Sequence, residues 1–234
     1  MKRVIVGVLL AALVFAAPAA AKQPNPKAAT NAAHLCKALR AANPGLFKST
    51  YGTNANKSNA YGKCVSAAAK SKRHGRTITL SNIALTSTGT VLTTGAAGCQ
   101  FTAIGCTLTS SGTVGGPWTG TYTSTFTILW TSASTYSNGV GGFCAPASGT
   151  VTLTLTGLGT ITKQETGPVC EVGATGANVA HTFNGTFTVQ SGTGVFAGAT
   201  GSGTTTFNQQ PGASDAVGGT VTGTETITTL TLKV

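Results

Sequence analysis

Apolar and polar residues alternate along much of the chain. From Trp118 to Trp130 the even positions read Trp118, Gly120, Tyr122, Ser124, Phe126, Ile128 and Trp130, while Thr119, Thr121, Thr123, Thr125 and Thr127 fill the odd ones. Successive side chains of a strand point to opposite faces, so this pattern predicts a half-buried strand. The same period of two runs through 151–156 and through 182–189, where Phe183, Phe187 and Val189 share a face. Further strands are predicted at 77–86, 88–94, 101–109, 160–166, 200–207 and 220–232. Glycine-rich connections about every 8 to 12 residues complete an all-β signature. Strand count alone does not separate an antiparallel β-barrel from a β-sandwich; the barrel is the favoured reading.

Two details of the strand region set expectations. Gly157-Leu158-Gly159 reads as a three-residue hairpin loop with Gly159 left-handed, which sets Thr156 against Thr160 and Leu155 against Ile161. That register carries Cys144 to within two residues of Cys170, a gap that a small bulge would close. On the returning strand Lys163 and Glu165 fall on the face of Leu153 and Val151, which predicts a strand near an end or edge.

Before Thr77 the period changes. Residues 28–42 are alanine-rich, with Leu35 and Leu39 four apart and Asn43-Pro44-Gly45 as a stop signal. A second helix is predicted over 58–71, with turn chemistry at Tyr51-Gly52-Thr53-Asn54 between them. Lys70 to Arg76 reads as a basic linker. The division is therefore residues 1–21 as a targeting segment, 22–76 as a basic helical module with its linker, and 77–234 as an all-β domain.

Charge sharpens this division. Eleven basic residues and no acid lie between Lys22 and Arg76, whereas only Lys163 and Lys233 face Glu165, Glu171, Asp215 and Glu225 afterwards. The balance is thus +11 for residues 22–76 and −2 from Thr77 onward, which sum to +9 once Lys2 and Arg3 of the leader are set aside. At the front, Met1-Lys2-Arg3, the apolar run from Val4 to Ala17, Pro18 and Ala19-Ala20-Ala21 have the layout of an export signal cleaved near Lys22. No later apolar stretch approaches the ~20 residues of a membrane-spanning helix. The expected location is secreted or associated with the envelope. There the six cysteines would pair, as Cys36–Cys64, Cys144–Cys170 and, by elimination, Cys99–Cys106. A zinc site drawn from His34, Cys36, Cys64 and His74 matches no usual ligand spacing, and no cofactor or metal is expected.

The run Thr186-Phe187-Thr188-Val189-Gln190-Ser191-Gly192-Thr193-Gly194-Val195-Phe196-Ala197-Gly198-Ala199-Thr200-Gly201-Ser202-Gly203 resembles the strand–turn–strand signature of the allene oxide cyclase and dirigent-like β-barrels. The resemblance implies an eight-stranded antiparallel barrel with an apolar internal cavity. Some members of those families bind or orient small hydrophobic molecules, and close relatives in bacteria are secreted proteins of unknown role. Dirigent-like activity is attributed to arginine and acidic side chains in the pocket, and no arginine follows Arg76. No catalytic residue carries over. The basic segment resembles a two-cysteine module found at the front of secreted bacterial proteins.

Candidate chemistry in the β-domain is sparse. There is no Gly-x-Ser-x-Gly elbow and no Gly-x-Gly-x-x-Gly in a strand-to-helix setting. Glu225 is in phase with Val221, Gly223 and Ile227, and His181 with Phe183, Gly185 and Phe187. With Tyr122 as a third polar handle, these define a candidate ligand pocket of Tyr122, His181 and Glu225; the bland alternative puts Glu225 and His181 at strand ends in water. Three function classes follow. The favoured one is a secreted, non-enzymatic protein binding a small apolar ligand, or an anionic envelope polymer through residues 22–76. The others are a cyclase or dirigent-like enzyme and a structural or adhesive surface protein. Nucleic acid is not an expected partner, because only Tyr51 and Tyr61 in the basic segment offer stacking.

Overall fold

The computed structural model describes residues 26–74, 77–93, 106–129, 134–136, 142–172, 180–210 and 217–233. Three helices come first, α1 (Pro26–Ala42), α2 (Pro44–Tyr51) and α3 (Ala60–His74). Nine strands follow: β1 (Thr77–Thr93), β2 (Cys106–Gly115), β3 (Gly120–Ile128), β4 (Ser134–Tyr136), β5 (Gly142–Leu155), β6 (Gly159–Val172), β7 (Ala180–Gly192), β8 (Thr200–Gln210) and β9 (Thr220–Lys233). The predicted leader, residues 1–21, lies outside the described residues.

All strand pairs are antiparallel, and the ladder closes on itself. β1 pairs with both β2 and β9, and the β3–β5 pairing joins the two ends of the sheet. Eight strands therefore form a closed barrel and the sandwich reading falls away. Short β4 pairs with Gly142–Cys144 of β5, continuing the ladder where β3 leaves off. Closure removes the exposed edges that an open sheet must protect. Threonine fills the outward rows while Tyr122, Phe126, Ile128, Val151 and Leu153 face the core, so the barrel is mostly apolar inside and wettable outside.

Several strand boundaries shift. The predicted strands at 77–86 and 88–94 are one strand, β1. β2 runs to Gly115, beyond the predicted end at Thr109; residues 101–105 lie outside the described residues. The strand predicted to lie near an end or edge is β6, which instead sits inside the ring between β5 and β7. Its charged residues occupy the lumen because they find one another and a third charge there.

The hairpin register also differs. Leu155 pairs with Gly159 and Leu153 with Ile161, so the loop is Thr156-Gly157-Leu158. Gly157 and Gly159 both have positive φ, 71° and 123°, and the Leu158 side chain is buried. The shift is by two residues, so every side chain keeps its face. Cys144 consequently faces Cys170 directly, without a bulge, and the two are disulfide-bonded with Cα atoms 4.0 Å apart.

One end of the barrel carries the tight turns of Gly115–Gly120, Thr156–Leu158 and Thr193–Ala199. Trp118 and Phe196 close it, their rings 5.6 Å apart, above buried Leu155, Leu158, Ile161, Leu230 and Leu232. Most of the residues that connect strands at the opposite end lie outside the described residues.

The helical module holds three helices rather than two. Asn43-Pro44-Gly45 does end α1, but the Asn43 side chain accepts from the Leu46 N–H at 2.7 Å and Pro44 occupies the first turn, so the same residues start α2. α3 continues through Lys70–His74, which were predicted as linker. Leu35, Leu39, Phe47, Ala60 and Ala68 are buried around the Cys36–Cys64 bridge, whose Cα atoms are 5.9 Å apart. The Asn43 side-chain amide donates to the Pro117 carbonyl at 3.4 Å, tying module to barrel. The predicted Cys99–Cys106 bridge involves Cys99, which lies outside the described residues.

Candidate functional site

The strict phase of β6 points Ile161, Lys163, Glu165 and Val169 into the lumen, and that of β9 does the same for Val221, Gly223, Glu225 and Ile227. Three charges thus meet inside a domain that otherwise has almost none. Lys163 and Glu165 are fully buried and Glu225 is 7% exposed. The Lys163 ammonium lies 2.6 Å from Glu165 Oε1 and donates across the lumen to Glu225 Oε2. Its Nζ also sits 4.4 Å from the centre of the Phe187 ring, a cation–π contact from the next strand. Buried charge is tolerated only when paired, and the lysine serves both acids. Burial pushes the Glu165 carboxyl above its usual range; Lys163 pulls it down, and Glu225 adds a further upward push.

The clasp is not fully satisfied. Glu165 Oε2 and Glu225 Oε1 have no hydrogen-bond partner, nor does Thr205 Oγ1, which lies on β8 directly opposite Glu225. The Tyr122 hydroxyl is also buried, beside Ser110, whose own hydroxyl is 2.6 Å from that of Ser124. Burial raises the Tyr122 phenol, and a hydrogen bond with Ser110 opposes it. A cavity of about 10 Å³ lies against Tyr122, Glu225 and Ser87, walled by Leu85, Val114, Val151, Leu153 and Phe207. That is room for about one water molecule.

The structure therefore brings together two of the three sequence-predicted ligand residues, Tyr122 and Glu225, on one small cavity. It does not bring His181 to them. His181 is opposite Glu171 on β6 and Gln209 on β8, four residues along β7 from Gly185, which pairs with the Thr205 level of Glu225. At the rise of a strand this is about 13 Å. Lys163 and Glu165 are the lumenal residues missed as site residues. Their in-phase placement with Val151 and Leu153 is the signal for them in the sequence, although the same pattern also predicts an edge strand.

A second charged feature lies on the outside. Glu165, Glu171 and Glu225 are buried, and Asp215 lies outside the described residues. No acidic side chain is exposed among the described residues. Lys37, Arg40, Lys48, Lys57, Lys63 and Lys70 are all exposed on the helical module. Lys37 with Arg40, and Lys63 with Lys70, fall at spacings of three and seven that place each pair on one helix face. Among the described residues no group of three or more His, Cys, Asp or Glu side chains could hold a metal, and no helix is long and apolar enough to cross a membrane. No protein-family model, curated protein or solved structure matches the chain.

Proposed function

We propose that the protein is a secreted, non-enzymatic binding protein that attaches through its helical module to an anionic polymer of the cell envelope. The observation that carries this reading is the one-sided surface: six exposed cations on the module and no exposed acid among the described residues. A polyanion approaching this face meets attraction without a repelling carboxylate, and binding releases its condensed counter-ions. The Cys36–Cys64 bridge pins the cations to a small frame, and it and the Cys144–Cys170 bridge are compatible with an oxidising compartment.

A second reading, a small apolar ligand inside the barrel, has the apolar walls of the lumen in its favour. The cavity takes only a water-sized guest, so such a ligand requires lining side chains to move. Membership of the allene oxide cyclase and dirigent-like barrels, with an activity on a small hydrophobic molecule, is the enzymatic alternative; a closed barrel is compatible with it and with much else.

Sedimentation of the full chain with isolated cell wall tests the favoured reading. At physiological salt the protein is expected to pellet, and at about 1 M salt, where the Debye length is ~3 Å, to stay in solution. The variant Lys37→Gln/Arg40→Gln/Lys63→Gln/Lys70→Gln should pellet weakly at both. Equal pelleting of the two proteins would overturn the proposal.

A further inference from the structure

We infer that Lys163 and Glu225 condense into an amide inside the barrel, a covalent cross-link from β6 to β9 for which Glu165 carries the proton. Contact is the first argument. The Lys163 ammonium donates to Glu225 Oε2 and lies 2.6 Å from Glu165 Oε1. Nucleophile, carboxyl carbon and proton carrier therefore meet at one nitrogen. Each is held on a strand paired on both sides, β6 between β5 and β7 and β9 between β8 and β1. Groups fixed in this way can react as if at about 10⁵–10⁸ M.

Enclosure is the second argument. The side chains of Lys163, Glu165 and Glu225 are 1%, 0% and 8% exposed. Val151 and Val189 flank Lys163 on the neighbouring strands, Phe187 is opposite Glu165, and Leu85 is opposite Glu225. In water an ammonium and a carboxylate stay ionised and solvated. In this apolar setting a neutral amide costs less to bury than the ion pair it replaces. Glu165 Oε2 and Glu225 Oε1 have no hydrogen-bond partner, so no other donor stabilises the carboxylates against condensation.

The triad of charges is the reactant. Glu165 takes one proton from the ammonium, and the freed lone pair attacks Glu225 Cδ. The Nζ–Cδ bond forms, the Cδ–Oε2 bond breaks, and Oε1 stays as the amide oxygen. Glu165 returns its proton, a second passes from the nitrogen, and both leave with Oε2 as water. Nothing is oxidised or reduced, and no co-reactant is needed. Burial pushes the Glu165 carboxyl above its usual range, which suits a group that holds a proton in transit. The amide closes a ring across a separation of 62 positions, with β7 and β8 inside it.

Mass and trypsin together test the cross-link. Lys163 is the one lysine or arginine between Arg76 and Lys233, and trypsin does not cut after an acylated lysine. The full chain, held folded at neutral pH and then reduced and denatured, should weigh one water less than its residues add up to. Trypsin should leave 77–233 in one piece, and a second protease should release from it a peptide pair joined through Lys163 and Glu225. Glu165→Gln should keep the full mass and be cut into 77–163 and 164–233. The wild-type readings stand even where that variant fails to fold. Wild-type chain at full mass, cut at Lys163, would overturn the inference and leave a permanent ion triad. Loss of one water with cutting at Lys163, or an amide on Glu165, would overturn it as well.

Discussion

Lys163 is the residue on which the barrel interior turns. It reaches one acid on its own strand and another on β9, 62 positions along the chain, and rests over the Phe187 ring. Removing it strands two buried carboxylates, so Lys163→Met should destabilise the protein by about 3–5 kcal/mol in urea titrations. Replacing all three charges together (Lys163→Met, Glu165→Leu, Glu225→Leu) should recover most of that loss, because no unpaired charge then remains. Glu165 also makes stability depend on pH. Its carboxyl has a higher pKa in the folded barrel than in the unfolded chain. Between those two values the folded state holds the extra proton, so stability falls as pH rises through the window and levels off above it. In Glu165→Gln the urea midpoint should lose this slope. The sequence showed the phase of Lys163 and Glu165 but not their partner. Period two tells which face a side chain takes, whereas the meeting with Glu225 depends on ring closure across the lumen.

Strand pairing explains how aromatic rings fit so narrow an interior. Phe126 faces Gly149, Phe187 faces Gly203 and Phe207 faces Gly223 across neighbouring strands. At Gly203 an added Cβ would come within 2.2 Å of the Thr226 carbonyl oxygen and 2.6 Å of the Phe187 ring. Gly203→Ala should therefore cost about 1–3 kcal/mol by overpacking, measured by thermal or urea unfolding. The helical module is governed differently. Its bridge closes a separation of 28 residues, and on the chain-entropy account losing it costs about 3.5 kcal/mol. In Cys36→Ala/Cys64→Ala, amide exchange should accelerate in α1–α3 while the barrel strands stay protected. Elements with unbroken alternation, such as β3, were legible in the sequence. Turn register was less so: the predicted Gly157–Gly159 loop lies one residue earlier, and the pairing shifts by two, because Leu158 is buried at the closed end of the barrel instead of lying at a loop tip. Asn43-Pro44 was ambiguous because it both ends one helix and begins the next.

At the scale of the whole molecule, the two modules divide charge between outside and inside. The barrel carries acids inward, to Lys163 and the lumen, and presents threonine to water; the helices carry cations outward. Barrel and helical module were both expected from the sequence. The burial of every described acid was not, since it is not a property of local period or composition. Binding of an anionic polymer by this one-sided surface is tested most directly by the affinity of the full chain for polyphosphate as a function of salt. Log affinity should fall linearly with log salt concentration, and the slope should shrink by roughly three when Lys37, Arg40, Lys63 and Lys70 become glutamine, at about 0.7 per lost contact. An affinity that does not change with salt, or a slope unaltered by those four substitutions, would contradict it.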